Sequence, residues 1–265
     1  MVNDKGGGTP AGSMSASGPQ RAASTARTAV VWDVLQNLLS GLAPGSAPLE
    51  IVDAGGGTGG AAVPLAELGH NVTVVEPSPD SLAALERRAA DAGVRVRALQ
   101  GEARELTSLL PADHAHLVLV HNVLEYVDDP YGALGDIVAV TRPGGAVSLV
   151  VANAVAGALH RALAGHVADA RRLLADPDGR WGETDPMPRR FTAEQLVEVA
   201  ERAGLTDPEI RGVRVFADLL PGRTFEGDPQ AGRQLVELEK AAAVHPALSG
   251  IATQLHLLAR KPDAH

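Results

Sequence analysis

The chain has 265 residues, and its 32 acidic side chains outnumber 23 lysines and arginines to give a net charge of −9. This length suits one α/β domain with insertions. The acidic net charge argues against indiscriminate nucleic-acid binding. The lack of cysteine excludes disulfides, thiolate nucleophiles and cysteine-held iron–sulfur clusters. No apolar run is long enough to cross a bilayer and the first residues carry no signal-peptide core, so a cytoplasmic location is expected.

Strand and helix patterns alternate along most of the chain. Residues 1–22, rich in Gly, Ser, Pro and Ala, are predicted to be a disordered tail, and residues 23–262 to form one domain. Apolar periodicity predicts helices over 24–39, 61–68, 78–92, 130–141, 155–175, 192–204 and 232–244. It predicts strands over 49–52, 72–75, 94–99, 116–121, 146–151, 211–216 and 251–259. Strands separated by crossover helices indicate the α/β class, with a doubly wound and mainly parallel sheet.

The most informative stretch is LEIVDAGGGTGG, at positions 49–60. Its apolar start is typical of a buried strand, and Asp53 stands at the end of that strand. Gly55, Gly56 and Gly57 follow, so the backbone can turn sharply and a flat or anionic ligand can approach without meeting a Cβ atom. The next helix would direct unpaired N–H groups toward such a ligand. The sequence therefore predicts a loop that binds a nucleotide-type cofactor.

The identity of that cofactor depends on the acidic residues around the loop. Gly55, Gly57 and Gly60 match the spacing of a dinucleotide fingerprint, which keeps an NAD(P)-dependent oxidoreductase open as an alternative. Asp53 suits S-adenosylmethionine better, because that cofactor carries a cationic sulfonium and an amino group. Glu76, at the end of the second strand, can accept both ribose hydroxyls in either interpretation. With an iron–sulfur cluster excluded, polar in-line methyl transfer is the reaction expected.

Four further stretches carry a resemblance to a known family. They read HNVLEYVDDP at 121–130, TRPGGAVSLVVAN at 141–153, GVRVFADLL at 212–220 and LVELEK at 235–240. With the DxGxGxG loop, they resemble class I S-adenosylmethionine-dependent methyltransferases, and among these the tRNA 5-carboxymethoxyuridine methyltransferases. The resemblance implies a Rossmann-like, seven-stranded, mostly parallel sheet with an antiparallel last strand beside the fifth, and helical insertions after strands five and six. It also implies esterification of the side-chain carboxylate of a wobble uridine in the tRNA anticodon region.

The resemblance further implies a set of residues around the cofactor. They are Arg27, Gly55, Gly56, Glu76, Ala103, Arg104 and His121. The loop pattern itself adds Asp53 and Gly57. Arg27 would pair with the methionine carboxylate, the alternative being a solvated charge on an exposed helix. His121 would line the pocket, the alternative being a strand end closed by a backbone hydrogen bond.

The acceptor side of the site is expected to need no general base. A carboxylate with a pKa of about 4 is already ionised at neutral pH, so the enzyme has only to orient it against the methyl group. The residues predicted to position it are Asn153, Arg189, Arg190, Arg214 and Tyr126. No metal site is predicted, because His114 and His116 have no cluster of acids and histidines near them.

The sequence leaves two candidates for the methyl acceptor, tRNA and a small molecule. The loop over 176–190, which can be lysine-rich in the resembling family, mixes four acidic residues with three arginines. A tRNA anticodon arm would require several phosphate contacts, which such a loop supplies poorly. A small carboxylate metabolite, or another O-, N- or C-methyl acceptor, is the alternative substrate. A non-catalytic binding protein with the same fold is a further alternative.

Overall fold

A seven-stranded sheet forms the centre of the computed structural model. The structure describes the backbone of residues 18–42, 47–220 and 229–264. It describes the side chains of residues 28–42, 47–220 and 230–264. The strands are β1 (Glu50–Ala54), β2 (Asn71–Glu76), β3 (Arg97–Gln100), β4 (Ala115–His121), β5 (Thr141–Ala152), β6 (Thr206–Val213) and β7 (Gln254–Arg260). They lie in the order β3-β2-β1-β4-β5-β7-β6; β7 pairs antiparallel with both β5 and β6, and the other described strand pairs are parallel. The predicted fold class is confirmed, including the antiparallel strand beside the fifth.

Helices cover both faces of this sheet. They are α1 (Gly18–Leu42), α2 (Ala62–Glu67), α3 (Pro79–Asp91), α4 (Leu106–Leu109), α5 (Pro130–Val140), α6 (Ala154–Leu163), α7 (Val167–Ala175), α8 (Ala193–Arg202) and α9 (Pro229–Ala243). On one face α1, α2 and α3 pack on apolar residues such as Ile51 and Leu117; on the other, α4, α5 and α8 pack on residues such as Val118 and Leu149. No helix within the described ranges is long and apolar enough to span a membrane.

Local capping signals set several helix starts where the sequence predicts them. The Ser78 hydroxyl accepts a hydrogen bond from the N–H of Ser81, three residues into α3. Pro130 occupies the first turn of α5, where its missing N–H costs nothing. Thr192 and Gln195 form a reciprocal capping box at the start of α8.

Two predicted boundaries differ from the structure in the first and sixth helices. Helix α1 begins at Gly18 rather than at residue 24, and residues 1–17 of the predicted tail lie outside the described part of the chain. The helix predicted over 155–175 is two helices, α6 and α7, separated at Gly165, whose φ of 85° cannot continue an α-helix.

The sixth strand was predicted over 211–216 and lies instead at Thr206–Val213. Val215 and Phe216, which the prediction placed in this strand, belong to a loop after β6. Their backbone N–H groups bond to a side chain of α9 rather than to a neighbouring strand. A partner distant in the sequence thus set the backbone conformation of a stretch that looks like a strand.

The strand order reverses between β1 and β4, which are parallel neighbours with crossovers leading to opposite sides. In open α/β sheets this switch point leaves a crevice outside the carboxyl ends of the strands, where ligands bind. Asp53 in β1 and His121 at the end of β4 both reach this edge. The sheet therefore brings Asp53 and His121 to the same edge.

Candidate active site

The glycine loop leaves β1 in a conformation that demands its glycines. Gly55 and Gly57 have φ angles of 74° and 54°, which L side chains rarely adopt. The N–H of Gly55 donates to the carbonyl of Val75 at 2.7 Å, which ties the loop to β2. A Cβ atom added at Gly55 would lie 2.3 Å from Cγ2 of Val123. A larger residue at this position would therefore displace the turn after β4 as well as the loop.

Asp53 is buried beneath the loop. The residue is 3% exposed, and a Cβ atom at Gly56 would stand 2.7 Å from its Oδ2 atom. Burial, and after it the charge of Glu76, raises the pKa of Asp53 to about 7. A nearby cation would favour the ionised form and release this proton. The acid fits the sulfonium and amino group of S-adenosylmethionine, whereas a dinucleotide fingerprint has no need of it.

We expect the affinity for S-adenosylmethionine to rise with pH below neutrality. Asp53 has a pKa of about 7 in the free protein, and its carboxyl group must lose its proton beside the cation. The affinity for S-adenosylmethionine should therefore increase by up to about tenfold per pH unit below pH 7 and then level off. Calorimetry in buffers of different ionisation enthalpy measures both the slope and the released proton. Asp53→Asn should bind more weakly without that slope, and a wild-type affinity independent of pH would contradict the assignment.

Glu76 ends β2 with its carboxylate fixed beside the loop. Oε2 accepts the N–H of Gly57 at 3.1 Å and Oε1 accepts the N–H of Ser78 at 3.1 Å. Each carboxylate oxygen has a second lone pair, so both oxygens can still accept a hydroxyl. This pre-oriented carboxylate fits the two hydroxyls of a ribose.

Glu76→Ala is expected to weaken binding of S-adenosylhomocysteine by roughly 1–3 kcal/mol, or about 5- to 150-fold, because hydrogen bonds to a charged group are lost. Calorimetry on the purified variant measures the change. Glu67→Ala, which removes an exposed carboxylate at the end of α2, is the matched control and should bind as the wild type does. Unchanged affinity in Glu76→Ala would remove Glu76 from the ribose role.

The remaining predicted cofactor residues lie in three different settings. His121 ends β4, and burial lowers the pKa of its ring to about 4. Ala103 is buried in the 3₁₀ turn Ala103–Glu105, while the neighbouring Arg104 pairs with Glu102 at 2.8 Å on the surface. Arg27 lies in α1, but its side chain falls outside the described part of the structure. Its contact with the methionine carboxylate therefore stays a prediction.

A cavity of about 220 Å³ lies beside the loop, between α1 and the ends of β4, β5 and β7. Its lining residues are Thr28, Val31, Trp32, Leu35, Gly60, Ala61, His121, Asn122, Val150, Val213 and Gln254. Within this lining His121 is the single titratable side chain, and its pKa of about 4 makes it a weak base. A larger cavity of about 500 Å³, near Pro48 and His70, lies at the amino ends of β1 and β2 and so away from the glycine loop.

Arg214 connects to this cavity through Gln254. It follows β6 with a φ of 64°, in the left-handed region. Its Nη2 atom pairs with Asp218 at 2.6 Å, and its Nη1 atom donates to Oε1 of the cavity-lining Gln254 at 3.4 Å. Its side chain is 28% exposed. Of the residues predicted to hold the acceptor, Arg214 has a direct partner in the cavity wall.

Glu239 on α9 holds the Arg214 segment in place. Its carboxylate is fully buried and accepts the backbone N–H groups of Val215, Phe216 and Ala217 at 2.6–2.8 Å. An anion that satisfies three consecutive N–H groups fixes the local backbone. Glu239 therefore fixes the backbone that directly follows Arg214.

Asn153 has a structural role instead of the predicted contact with the acceptor. Its Oδ1 atom accepts the N–H of Val155 and caps α6. Its Nδ2 group donates to the carbonyls of Gly250 and Ala252 at 2.9 and 2.8 Å. Both amide protons are used, so the side chain has no donor left for a carboxylate.

The two arginines that end the proline-rich loop also make their hydrogen bonds to other residues of the chain. Arg190 is 8% exposed and makes a bidentate pair with Asp185 at 2.7 and 3.1 Å. Arg189 donates to Asp178 at 3.0 Å and to the carbonyl of Val127 at 2.9 Å. These contacts shape the loop, and neither arginine lines the cavity of about 220 Å³.

Tyr126 and Trp181 differ in how far their rings are free to meet a ligand. Tyr126 lies on the turn after β4 and is 59% exposed, so its predicted contact with an acceptor stays a prediction. Trp181 has the guanidinium groups of Arg161 and Arg190 over its ring, at 4.0 and 4.6 Å from the ring centre. Its ring thus serves the packing of the insertion.

No group of three or more metal-binding side chains occurs in the ranges that the structure describes. His116 instead accepts the N–H of Glu50 at 3.0 Å through Nδ1, and its Nε2 atom lies 2.6 Å from Arg142. His114 lies 3.8 Å from the Glu50 carboxylate. These two histidines connect the amino ends of β1 and β4 with Arg142.

Three residues that contribute to the site were not identified from the sequence. Asn122 and Gln254 line the cavity, and Glu239 orients the Arg214 segment. The position of Glu239 could have indicated its burial, because it lies four residues after the buried Leu235 on the apolar side of α9. Asn122 and Gln254 had no such signal, because they meet at the cavity only where β4 ends and β7 begins in the folded sheet.

The comparisons with known proteins agree with this geometry. A family model described as a methyltransferase domain matches residues 52–149. The tRNA 5-carboxymethoxyuridine methyltransferase of Escherichia coli (strain K12) is 31% identical over 242 residues, 90% of this chain and 89% of that protein. The ubiquinone biosynthesis O-methyltransferase of Methylobacterium sp. (strain 4-46) is 29% identical, over 74% of this chain and 75% of that protein. The solved phosphoethanolamine N-methyltransferase 2 of Haemonchus contortus, in complex with S-adenosyl-L-methionine, is similar with a TM-score of 0.57 at 22% identity, over 88% of this chain and 53% of that one.

The family match spans the segment from β1 to β5, which carries Asp53, the glycine loop, Glu76 and His121. The likeness to the Escherichia coli enzyme covers 90% of this chain, and the structural likeness supports the fold. The fixed carboxylate of Glu76 and the buried acid at Asp53 fit the cofactor of such enzymes, S-adenosylmethionine. The chain therefore belongs to the class I S-adenosylmethionine-dependent methyltransferases.

Proposed function

We propose that this methyltransferase transfers its methyl group to a carboxylate oxygen, with the wobble 5-carboxymethoxyuridine of tRNA as the preferred acceptor. The observation that carries the proposal is the cavity lining, in which His121, with a pKa of about 4, is the one titratable side chain. An alcohol or an ammonium group needs a base whose pKa lies near the working pH. A carboxylate is already ionised and needs none.

Arg214 supplies the positive charge that would hold this acceptor. A guanidinium binds a carboxylate through two parallel hydrogen bonds. Arg214 already pairs with Asp218 and contacts Gln254 in the cavity wall, so it is oriented before an acceptor arrives. Orientation of this kind supplies a large part of the barrier lowering in a transfer that requires only alignment of oxygen, carbon and sulfur.

Arg214→Ala is expected to lower kcat/KM for the acceptor by about 10- to 150-fold, the value of a charge-assisted hydrogen bond, while sparing affinity for S-adenosylhomocysteine. Steady-state kinetics and calorimetry measure the two quantities. Arg233→Ala, which removes an exposed arginine from α9, is the matched control. Equal losses of acceptor use and cofactor affinity would make Arg214 a structural residue.

The choice of tRNA rests on the similarity to the Escherichia coli tRNA enzyme, and such an acceptor would place the reaction in the cytoplasm. A small carboxylate metabolite is the second candidate. It is favoured by the charge of −9 and by the proline-rich loop, where Asp178 and Asp185 offset the charges of Arg189 and Arg190.

Methyl incorporation distinguishes the two acceptors. Purified protein is incubated with labelled S-adenosylmethionine and either total tRNA from a strain lacking the endogenous activity or a small-molecule extract. We expect label in the tRNA fraction, weakening steeply as salt is raised because phosphate contacts are involved. Label confined to the extract would overturn the tRNA assignment and support the metabolite.

A further inference from the structure

Three polar side chains form a row from the cavity wall into the sheet. His121 ends β4, Ser148 lies in β5 and His256 lies in β7. Oγ of Ser148 lies 2.9 Å from Nε2 of His121 and 2.9 Å from Nε2 of His256. Ser148 and His256 are fully buried, so the hydrogen bonds of this row are made within the protein.

The proton positions in this row follow from the available partners. Burial lowers the pKa of His121 to about 4, and burial with the charges of His121 and Arg211 lowers the pKa of His256 to about 3, so each ring carries one N–H at neutral pH. Nδ1 of His256 is buried without a partner among the described residues. Because an orphaned buried N–H is rarer than an orphaned acceptor, the proton of His256 belongs on Nε2. Nε2–H then donates to Ser148, the Ser148 hydroxyl donates to Nε2 of His121, and the proton of His121 is left on Nδ1.

A second row reaches the same cavity wall from Arg214. A guanidinium has donors only, so the contact with Arg214 makes Oε1 of Gln254 the acceptor. Nε2 of Gln254 therefore donates to Oδ1 of Asn122. The Nδ2 group of Asn122, which lines the cavity next to His121, remains as a donor.

We propose that Ser148 and His256 are positioning residues that hold His121 as its Nδ1–H tautomer, a neutral donor to a ligand carboxylate, with the amide of Asn122 as a second donor. Both His121 and Asn122 line the cavity beside the glycine loop. The carboxylate has two possible sources, the methionine end of S-adenosylmethionine and the methyl acceptor. The second source rests on the proposed function, whereas the tautomer does not.

Long-range ¹H–¹⁵N NMR of the imidazoles reads the tautomer in the protein without ligand. With His121→Gln to assign the signal, we expect a proton on Nδ1 of His121 at neutral pH in the wild type. Ser148→Ala, which lacks the hydroxyl, should give a mixture of tautomers, and Ser148→Thr, which keeps it, should retain the wild-type state. A proton on Nε2 in the wild type, or an unchanged tautomer in Ser148→Ala, overturns the proposal.

Binding and kinetics of Ser148→Ala separate the two sources of the carboxylate. A loss of about twofold or more in affinity for S-adenosylhomocysteine assigns the carboxylate to the cofactor, because a mixture of tautomers leaves only part of the protein with a donor on Nδ1. The same loss in kcat/KM with unchanged cofactor affinity assigns it to the acceptor. No change in either quantity overturns the donor role. Because the NMR measurement contains no acceptor, a failure of the carboxylate-methylation proposal would leave the tautomer result standing.

Discussion

Glu239→Ala should lower the free energy of unfolding by about 3 kcal/mol or more. The carboxylate is fully buried and accepts three backbone N–H groups at 2.6–2.8 Å. Removal of the acceptor leaves those donors buried without a partner, at a cost of roughly 1–3 kcal/mol for each unsatisfied group before relaxation. Urea denaturation followed by circular dichroism measures the change.

Two further variants sharpen this result. Glu237→Ala removes an exposed carboxylate two residues away on the same helix and should change stability by less than about 0.5 kcal/mol. Glu239→Gln keeps one acceptor oxygen and should fall between Glu239→Ala and the wild type. A folded Glu239→Ala protein should also lose acceptor use, because the Arg214 segment is released. Wild-type stability in Glu239→Ala would contradict the role given to this carboxylate.

Gly55→Ala should abolish measurable cofactor binding or weaken it by at least about 30-fold. The residue has a φ of 74°, which costs an L residue roughly 1–2 kcal/mol, and its new Cβ would lie 2.3 Å from Cγ2 of Val123. The loop must shift to relieve both conflicts, and it then loses its position between Asp53 and Glu76. Calorimetry with S-adenosylhomocysteine measures the loss.

The matched control for this variant is Gly135→Ala within α5. There an added Cβ meets nothing within 4 Å and φ is not positive, so the change should stabilise the helix by about 0.5–1 kcal/mol. The double variant Gly55→Ala with Val123→Ala removes the collision but not the backbone strain, and should recover only part of the affinity. Wild-type affinity in Gly55→Ala would refute the loop geometry.

The parts of the site that the sequence predicted well depend on local chemistry. The glycines and Asp53 are contiguous, and Glu76 follows a short buried strand, so a local pattern was enough to place them at one edge of the sheet. Caps such as Ser78 and Thr192 were predictable for the same reason, because a cap acts within one helical turn.

The parts that the sequence predicted poorly depend on which partner each group meets in the folded chain. The stretch around Val215 looks like a strand, but it bonds to Glu239, 24 residues later. Asn153 looked free to hold an acceptor, yet its amide is used by carbonyls almost 100 residues away, at Gly250 and Ala252. Arg190 carries a charge that looked available, but Asp185 lies across the loop from it. Spacing along a chain cannot distinguish an arginine buried against an acid of its own loop from one that contacts a cavity wall.

The most direct test of a carboxylate acceptor is the chemical stability of the transferred methyl group. After reaction with methyl-labelled S-adenosylmethionine and tRNA, the product is treated with mild alkali, which hydrolyses an ester and leaves methyl groups on ether oxygen, nitrogen or carbon in place. Our account predicts that the label is released as methanol, and that Arg214→Ala lowers the amount released. Label that stays on the tRNA through this treatment would contradict methylation of a carboxylate.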